Sequence, residues 1–153
     1  LEGTYPIKVL TLKIGDRRPL GIGAGSLAIL AQLSDHEVER ILLQQLTERE
    51  SFAIGEDMLR HRLGEARRQG YAYNDVHVFQ DMEDITGMAA VAVAICRPDG
   101  SPIGAIHVTS TTERLAEPRR RKIVQTLLEE VEAIEKDLSP LLDGPSHFLR
   151  SRV

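Results

Sequence analysis

Glycine, serine, histidine and threonine residues at two places in this chain have the chemistry to bind a small anion. The first place is the stretch PLGIGAGSLAILAQL, residues 19–33, in which Gly23, Gly25 and Ser26 lead into a run of apolar residues typical of a buried helix. Glycines at the start of a helix expose backbone N–H groups at its positive end, which stabilises a carboxylate or phosphate. The spacing matches neither a P-loop nor a dinucleotide-binding motif, and no lysine follows the glycines. Close packing of a loop against a neighbouring element also requires glycine and remains the alternative.

The second place is a predicted β-hairpin. The segments MAAVAVAIC, residues 88–96, and PIGAIHVTS, residues 102–110, flank the turn RPDGS. Pro98 presets a backbone dihedral and Asp99-Gly100 favours a reversal, so the hairpin has a local physical cause.

The register of this hairpin decides which side chains share a face of the sheet. A three-residue loop, 98–100, places His107 opposite Val91. A four-residue loop, 98–101, places His107 opposite Ala92 and Thr109 opposite Ala90. Opposed residues share a face, and only the four-residue register separates the side chains by type, so we predict it. One face then carries Val91, Val93, Ile95, Ile106 and Val108, and the other, which we call the alanine face, carries Ala90, Ala92, Ala94, Ala105, His107 and Thr109.

The alanine face combines small side chains with two hydrogen-bonding groups. Methyl side chains leave room, and a small-molecule pocket needs room and a few convergent polar groups. The alternative is that the alanines lie under a closely packed helix and that a backbone carbonyl satisfies His107.

Neither the acidic residues nor the single cysteine predicts catalysis or metal binding. Asp81, Glu83 and Asp84 have only His77 nearby, and no second histidine stands at a helical spacing, so no metal site is predicted. Cys96 and the hairpin histidine lie near opposite ends of the hairpin, and a buried cysteine usually behaves as a small hydrophobic residue. We therefore predict no catalytic residue and no cofactor.

Strands and helices alternate along the chain in an order that predicts an α+β fold with a mostly antiparallel sheet. Residues 5–14 and 71–76 are predicted strands, and residues 77–86 are acidic and irregular. Ser34 and Glu37 have the capping-box spacing at the start of a second helix.

Two longer helices follow. A helix over 55–69, ended by Gly70, presents Met58, Leu59, Leu63 and Ala66 on one face and Arg60, Arg62, Glu65, Arg67 and Arg68 on the other. The last helix begins near Pro118 and carries the apolar stripe Ile123, Leu127, Val131, Ile134 and Leu138. We expect Pro140, Gly144 and Pro145 to end it, and residues 139–153 to form a C-terminal tail. The run 119–122, Arg-Arg-Arg-Lys, is expected to be solvated or to contact another subunit, because cations are disfavoured at a helix start.

Composition and charge describe one ordinary soluble domain. Of the 153 residues 42% are hydrophobic, the net charge is −4, and no segment is long and apolar enough for a membrane span. A single cysteine favours a reducing cytoplasm, and the acidic balance argues against direct nucleic-acid binding. The chain starts at Leu1 rather than methionine, and we expect a segment upstream.

In order along the chain, PLGIGAGSLAILAQL, RRQGYAYND, ITGMAAVAVAICRPDGSPIGAIHVTS and the closing helix resemble the effector-binding domain of IclR-type transcriptional regulators. The resemblance implies a GAF-like fold, a curved antiparallel sheet flanked by helices, over residues 1–138. It also implies an amino-terminal winged helix-turn-helix domain, absent from this chain, that binds operator DNA. Effectors of the family are small organic acids or aromatics, and its subunits pair as homodimers or tetramers.

The resemblance also implies the positions that contact the effector. These are Gly25, Ser26, Asn74, Asp75, Met88, Ala90, His107 and Thr109. Three of them lie on the alanine face. The chain departs from the family at Gly21, where histidine is common, and at Ser26-Leu27, where Gly-Lys is common, so a highly charged effector is not expected.

The sequence therefore predicts a ligand-sensing, self-associating domain of a DNA-binding regulator and not an enzyme. We expect replacement of His107 by alanine to weaken effector binding. Two alternatives stay open: a small-molecule enzyme or stand-alone sensor that uses the same pocket, and a dimerisation module whose cavity is filled by its own side chains.

Overall fold

The computed structural model of the protein describes residues 17–52, 54–75 and 87–142. The predicted strand at 5–14, the acidic segment 77–86 and the end of the tail lie outside these residues. The described helices are α1 Ala24–Ala31, α2 Asp35–Gln44, α3 Leu46–Arg49, α4 Glu56–Gln69 and α5 Arg119–Leu142. The described strands are β1 Ala72–Asn74, β2 Met88–Cys96 and β3 Pro102–Thr111.

The three described strands form one antiparallel sheet in the order β1-β2-β3. Ala92 pairs with His107 and Ala90 pairs with Thr109, which confirms the predicted four-residue register. The pairing is irregular at Ile95 and Cys96, where Cys96 lies opposite Pro102. The predicted strand at 71–76 is confirmed as β1, and Ala72 and Asn74 pair with the alanines of β2.

Each face of the sheet is covered by helices. Helices α1 and α4 pack on the alanine face, where Leu27, Leu30 and Leu59 are among the least exposed side chains. Helix α5 covers the opposite face, where Val91 and Val93 pack against Leu127 and Val131. The two sets of side chains that the register separates thus enter two different cores, and the predicted α+β fold is confirmed.

Local signals explain where the helices begin and end. The Ser34 hydroxyl accepts a hydrogen bond from the Glu37 N–H at 3.3 Å, and the Glu37 carboxylate accepts one from the Ser34 N–H at 3.0 Å, so the predicted capping box is formed. Gly70 ends α4 with φ of 78°, a left-handed conformation that favours glycine. Gly21 has φ of 91°, and a Cβ atom there would lie 2.6 Å from Cδ1 of Leu59.

Two predicted side-chain positions on α4 are wrong. Arg62 was expected on the polar face of α4 but is only 8% exposed, because it lies three and four residues from Leu59 and Ala66 on the buried stripe. Met58 was expected on the apolar face and is 45% exposed. Helix α5 extends through Pro140 to Leu142, since a proline removes one helical N–H and leaves the preceding turns intact; Gly144 and Pro145, which were also predicted to end it, lie outside the described residues.

Candidate functional site

The structure brings most of the predicted effector-contacting residues to the alanine face. Asn74, Ala90 and Thr109 form one row across the three strands. On the same face, Met88 lies one step beyond this row on β2, opposite Thr111, and His107 lies one step on the other side of the row on β3, opposite Ala92. The side chains of His107 and Thr109 are exposed, and those of Met88 and Ala90 are half-buried. The alanine face is therefore accessible along its β3 edge, and we call this exposed edge the outer end of the face.

The first turn of α1 lies beside this outer end. A Cβ atom placed on Gly25 would be 3.6 Å from Nδ1 of His107 and 4.0 Å from Cβ of Ala105. Both distances are ordinary van der Waals contacts. In the described part of the chain, the His107 imidazole makes no hydrogen bond, so its ring nitrogens are available beside the helix start.

The Ser26 hydroxyl holds the glycine-rich turn together. Its oxygen accepts hydrogen bonds from the N–H groups of Gly21 and Gly23 at 3.2 and 3.1 Å, and it donates to the Gly23 carbonyl at 3.0 Å. The first intrahelical bond of α1 runs from the Leu27 N–H to the Gly23 carbonyl at 2.9 Å. The N–H groups of residues 24–26 precede that bond and have no acceptor within the helix.

The β2 part of the alanine face is filled, including the position opposite His107. Ala92 is 0% exposed and Ala94 is 7% exposed, and both belong to the core under α1 and α4. For these residues the alternative of alanines beneath a closely packed helix is the observed arrangement. The accessible part of this face is its β3 edge, at His107 and Thr109.

Asn74 has a structural role that the sequence did not reveal. Its side chain is 9% exposed; its Oδ1 accepts a hydrogen bond from the Arg62 guanidinium at 2.8 Å, and its Nδ2 donates to the Ile22 carbonyl at 2.8 Å. Arg62 also donates to the Tyr73 carbonyl at 3.2 Å. Asn74 thus connects α4, β1 and the glycine-rich turn.

Asp75 lies apart from the other predicted residues. It borders a depression of about 260 Å³ at the α5 side of β1. The depression is lined by Arg62, Glu65, Gln69, Tyr71, Tyr73, Asp75 and Arg120. Arg62 was assigned to a polar helix face and Arg120 to a solvated basic run. For Arg62, its spacing from the apolar stripe of α4 was a sequence signal that indicated burial. For Arg120, no sequence signal indicated that it lines this depression.

Cys96 is held in a way that opposes nucleophilic chemistry. The irregular pairing turns its N–H toward α5, where the Glu135 carboxylate accepts a hydrogen bond from it at 2.7 Å. Burial, and then the nearby negative charge of Glu135, raises the pKa of the Cys96 thiol. A thiol with a raised pKa forms less of the reactive thiolate at neutral pH.

Within residues 17–52, 54–75 and 87–142, no cluster of three or more histidine, cysteine, aspartate or glutamate side chains could hold a metal ion. The acidic residues of 77–86 lie outside these ranges. None of the described helices is long and apolar enough to span a membrane.

Comparison with known proteins gives a consistent result. The family model described as the bacterial transcriptional regulator IclR C-terminal domain matches residues 1–136. No curated protein matches the chain.

Solved structures of regulators share the fold. The repressor BlcR of Agobacterium tumefaciens is 22% identical, with a TM-score of 0.66 over 84% of this chain and 51% of that one. IclR of Thermotoga maritima is 22% identical, with a TM-score of 0.70 over 90% of this chain and 54% of that one. The C-terminal domain of the E. coli transcriptional regulator KdgR is 25% identical, with a TM-score of 0.66 over 80% of this chain and 73% of that one. The chain spans about half the length of the first two proteins.

Proposed function

Because the chain belongs to the family of bacterial transcriptional regulator IclR C-terminal domains, we propose that it is the ligand-sensing and self-association domain of a DNA-binding regulator. The ligand is a small organic acid or aromatic compound bound at the outer end of the alanine face. Operator DNA is bound by a separate domain, in keeping with the net charge of −4 here.

The observation that carries this proposal is the position of the His107 imidazole. It is exposed on β3, it has no hydrogen-bond partner in the described part of the chain, and it lies beside Gly25 in the first turn of α1. Thr109 and the half-buried Met88 and Ala90 extend the same surface. A polar group beside small and apolar side chains is what a small-molecule site needs.

The chemistry of this surface favours a monoanion. A neutral imidazole donates one hydrogen bond to a carboxylate, and a protonated one adds a positive charge. The N–H groups at the start of α1 contribute about 0.3–1 kcal/mol toward an anion when exposed. With Leu27 in place of the lysine common in the family, no further cation is supplied, so a highly charged effector fits poorly.

Effector binding would act through the pairing of subunits. A tenfold change in operator affinity requires only about 1.4 kcal/mol of coupling, which a reordered loop or a shifted interface can supply. Two-fold pairing of subunits would match a two-fold symmetric operator. If the full-length regulator binds its operator equally well with and without saturating effector, this switch does not operate.

Calorimetry and thermal unfolding with a panel of small carboxylic acids and aromatics test the ligand site. A ligand at 100 times its Kd stabilises the fold by about 2.7 kcal/mol, which corresponds to a rise in Tm of roughly 5–10 °C. We expect His107→Ala to weaken binding of any compound found in this way. His36→Ala, an exposed histidine on α2, is the matched control and should bind normally.

Gly25→Ala provides a second test that does not depend on removing a polar group. The new methyl group makes only ordinary contacts with His107 and Ala105, so the fold should tolerate it, with a gain of up to about 1 kcal/mol from helix propensity. It nevertheless occupies space beside the imidazole and should weaken ligand binding. Normal binding by both Gly25→Ala and His107→Ala would place the ligand elsewhere.

A pure self-association module is the second candidate, favoured by the dense packing around Ala92 and Ala94. A flat thermal response across a chemically broad panel would support it.

A further inference from the structure

The depression bordered by Asp75 lies on the α5 side of the sheet, away from the alanine face. It forms where α4, β1 and the start of α5 meet, and its volume is about 260 Å³. Its lining is made of charged, amide and phenol side chains. Nothing in the proposed effector site uses these groups.

Arg62 places a positive charge at the wall of the depression, and its hydrogen bonds go to neutral acceptors. The side chain is 8% exposed, and its Nη2 donates to the Tyr73 carbonyl and to Asn74. Its Nη1 is buried with no hydrogen-bond partner in the described part of the chain. Nη1 is out of reach of solvent, so a ligand in the depression would meet Arg62 through the positive charge of its guanidinium group, which makes no hydrogen bond to a carboxylate in the described part of the chain. Burial also lowers the pKa of Arg62, which an anion beside it would oppose.

Arg120 and the tyrosines form a fixed wall. The Arg120 guanidinium lies over the Tyr73 ring, 4.2 Å from its centre, and Nε donates to the Glu117 carboxylate at 3.2 Å. Burial, and then Asp75, raises the pKa of Tyr73, so its phenol is a neutral hydroxyl at physiological pH. The tyrosine hydroxyl can both donate and accept, and the ring offers an apolar surface.

The charges around the depression select against simple ions. Glu65 and Asp75 would repel a free anion that approaches Arg62, and the two guanidinium groups would repel a free cation. A molecule that carries a carboxylate and an ammonium group close together satisfies both sets. The volume of the depression, about 260 Å³, suits a small molecule of this kind.

We propose that this depression binds a small amino-acid zwitterion, with its carboxylate toward the guanidinium charge of Arg62 and its ammonium group toward Asp75 and Glu65. The site is independent of the proposed effector site on the alanine face.

Nuclear magnetic resonance titration of the full chain tests the proposal with L-alanine, propionate and ethylamine. Propionate lacks the ammonium group of L-alanine, and ethylamine lacks its carboxylate. We expect saturable shifts of the amides around Tyr73, Asp75 and Arg120 with L-alanine. Because a hydrogen bond to a charged group is lost in each case, propionate and ethylamine should bind about ten- to a hundredfold more weakly.

Asp75→Asn is the decisive variant, because Asp75 is exposed and its replacement should not disturb folding. It should remove the preference for L-alanine over propionate. Glu113→Gln, an exposed carboxylate after β3, is the matched control and should keep the preference. Equal binding of L-alanine and propionate, tighter binding of inorganic phosphate, or an unchanged preference in Asp75→Asn would each overturn the proposal. His107→Ala should leave the L-alanine titration unchanged, which separates this site from the effector site.

Discussion

Replacement of Asn74 by alanine should destabilise the fold even with no ligand present. The change removes the acceptor of a hydrogen bond from the Arg62 guanidinium and the donor of one to the Ile22 carbonyl. Hydrogen bonds to charged groups contribute about 1.5–3 kcal/mol and neutral ones about 0.5–1.5 kcal/mol. Because the site is buried, water does not replace the lost partners, and we expect a loss of about 2–4 kcal/mol in the free energy of unfolding.

Urea unfolding followed by circular dichroism measures this loss, at one protein concentration because self-association affects stability. A loss of about 3 kcal/mol lowers the midpoint by roughly 1–3 M at slopes of about 1–3 kcal/mol per M. Asn74→Asp keeps the acceptor for Arg62 but cannot donate to Ile22, so it should remain destabilised. Thr109→Ala, an exposed residue in the same row of the sheet, should change stability by less than about 0.5 kcal/mol.

An Asn74→Ala midpoint equal to that of the unmodified protein would refute this reasoning. Asn74 would then be free to serve the effector, as the family resemblance implies, and would not connect α4 to the glycine-rich turn. A lowered midpoint together with unchanged ligand affinity would assign the residue to the scaffold.

Three other substitutions have distinct expected outcomes. Gly21→Ala should lower the free energy of unfolding by about 2–5 kcal/mol. A left-handed backbone costs an alanine about 1–2 kcal/mol, and overpacking against Leu59 of α4 costs about 1–3 kcal/mol. An unchanged Tm in thermal unfolding would contradict this. Ser34→Ala should destabilise α2 by about 1 kcal/mol through loss of its N-cap. Hydrogen bonds from Ser34 lower the pKa of Glu37. The stability contributed by the ionised Glu37 carboxylate is therefore present above the ordinary glutamate pKa and is lost as the pH falls through the lowered value. Urea unfolding at a series of pH values should show the stabilities of Ser34→Ala and the unmodified protein converging in acid. Glu135→Gln keeps the acceptor for the Cys96 N–H but removes a negative charge. The pH profile of Cys96 alkylation should therefore move to lower pH. An unmoved profile would exclude the Glu135 carboxylate as a cause of the raised pKa of the Cys96 thiol.

The hairpin was predictable because two independent patterns agree. The turn residues limit the loop to three or four residues, and the alternation of alanine with β-branched residues selects one of the two registers. A slip of one residue would have placed Val91 and Val93 among the alanines. The observed pairing of Ala92 with His107 therefore follows from chemistry that lies within about twenty residues of chain.

The contacts of Asn74 were not predictable in the same way. Its two partners lie 52 and 12 residues away along the chain, and no local pattern relates an amide on a short strand to the Ile22 carbonyl. The burial of Arg62 had a partial signal in its spacing from Leu59 and Ala66, but an arginine is rarely found in a core without a partner. Whether the alanine face borders a cavity was not predictable either, because alanine is compatible both with a cavity and with close packing against a helix.

Helix α5 is attached to the sheet at two separated points. Arg120 lies over Tyr73 near its first turn, and Glu135 accepts the Cys96 N–H fifteen residues later, which is about 22 Å along the axis. Tilting of α5 against the sheet would break one of these two contacts. A change in strand twist that keeps both contacts would therefore move the helix as a unit.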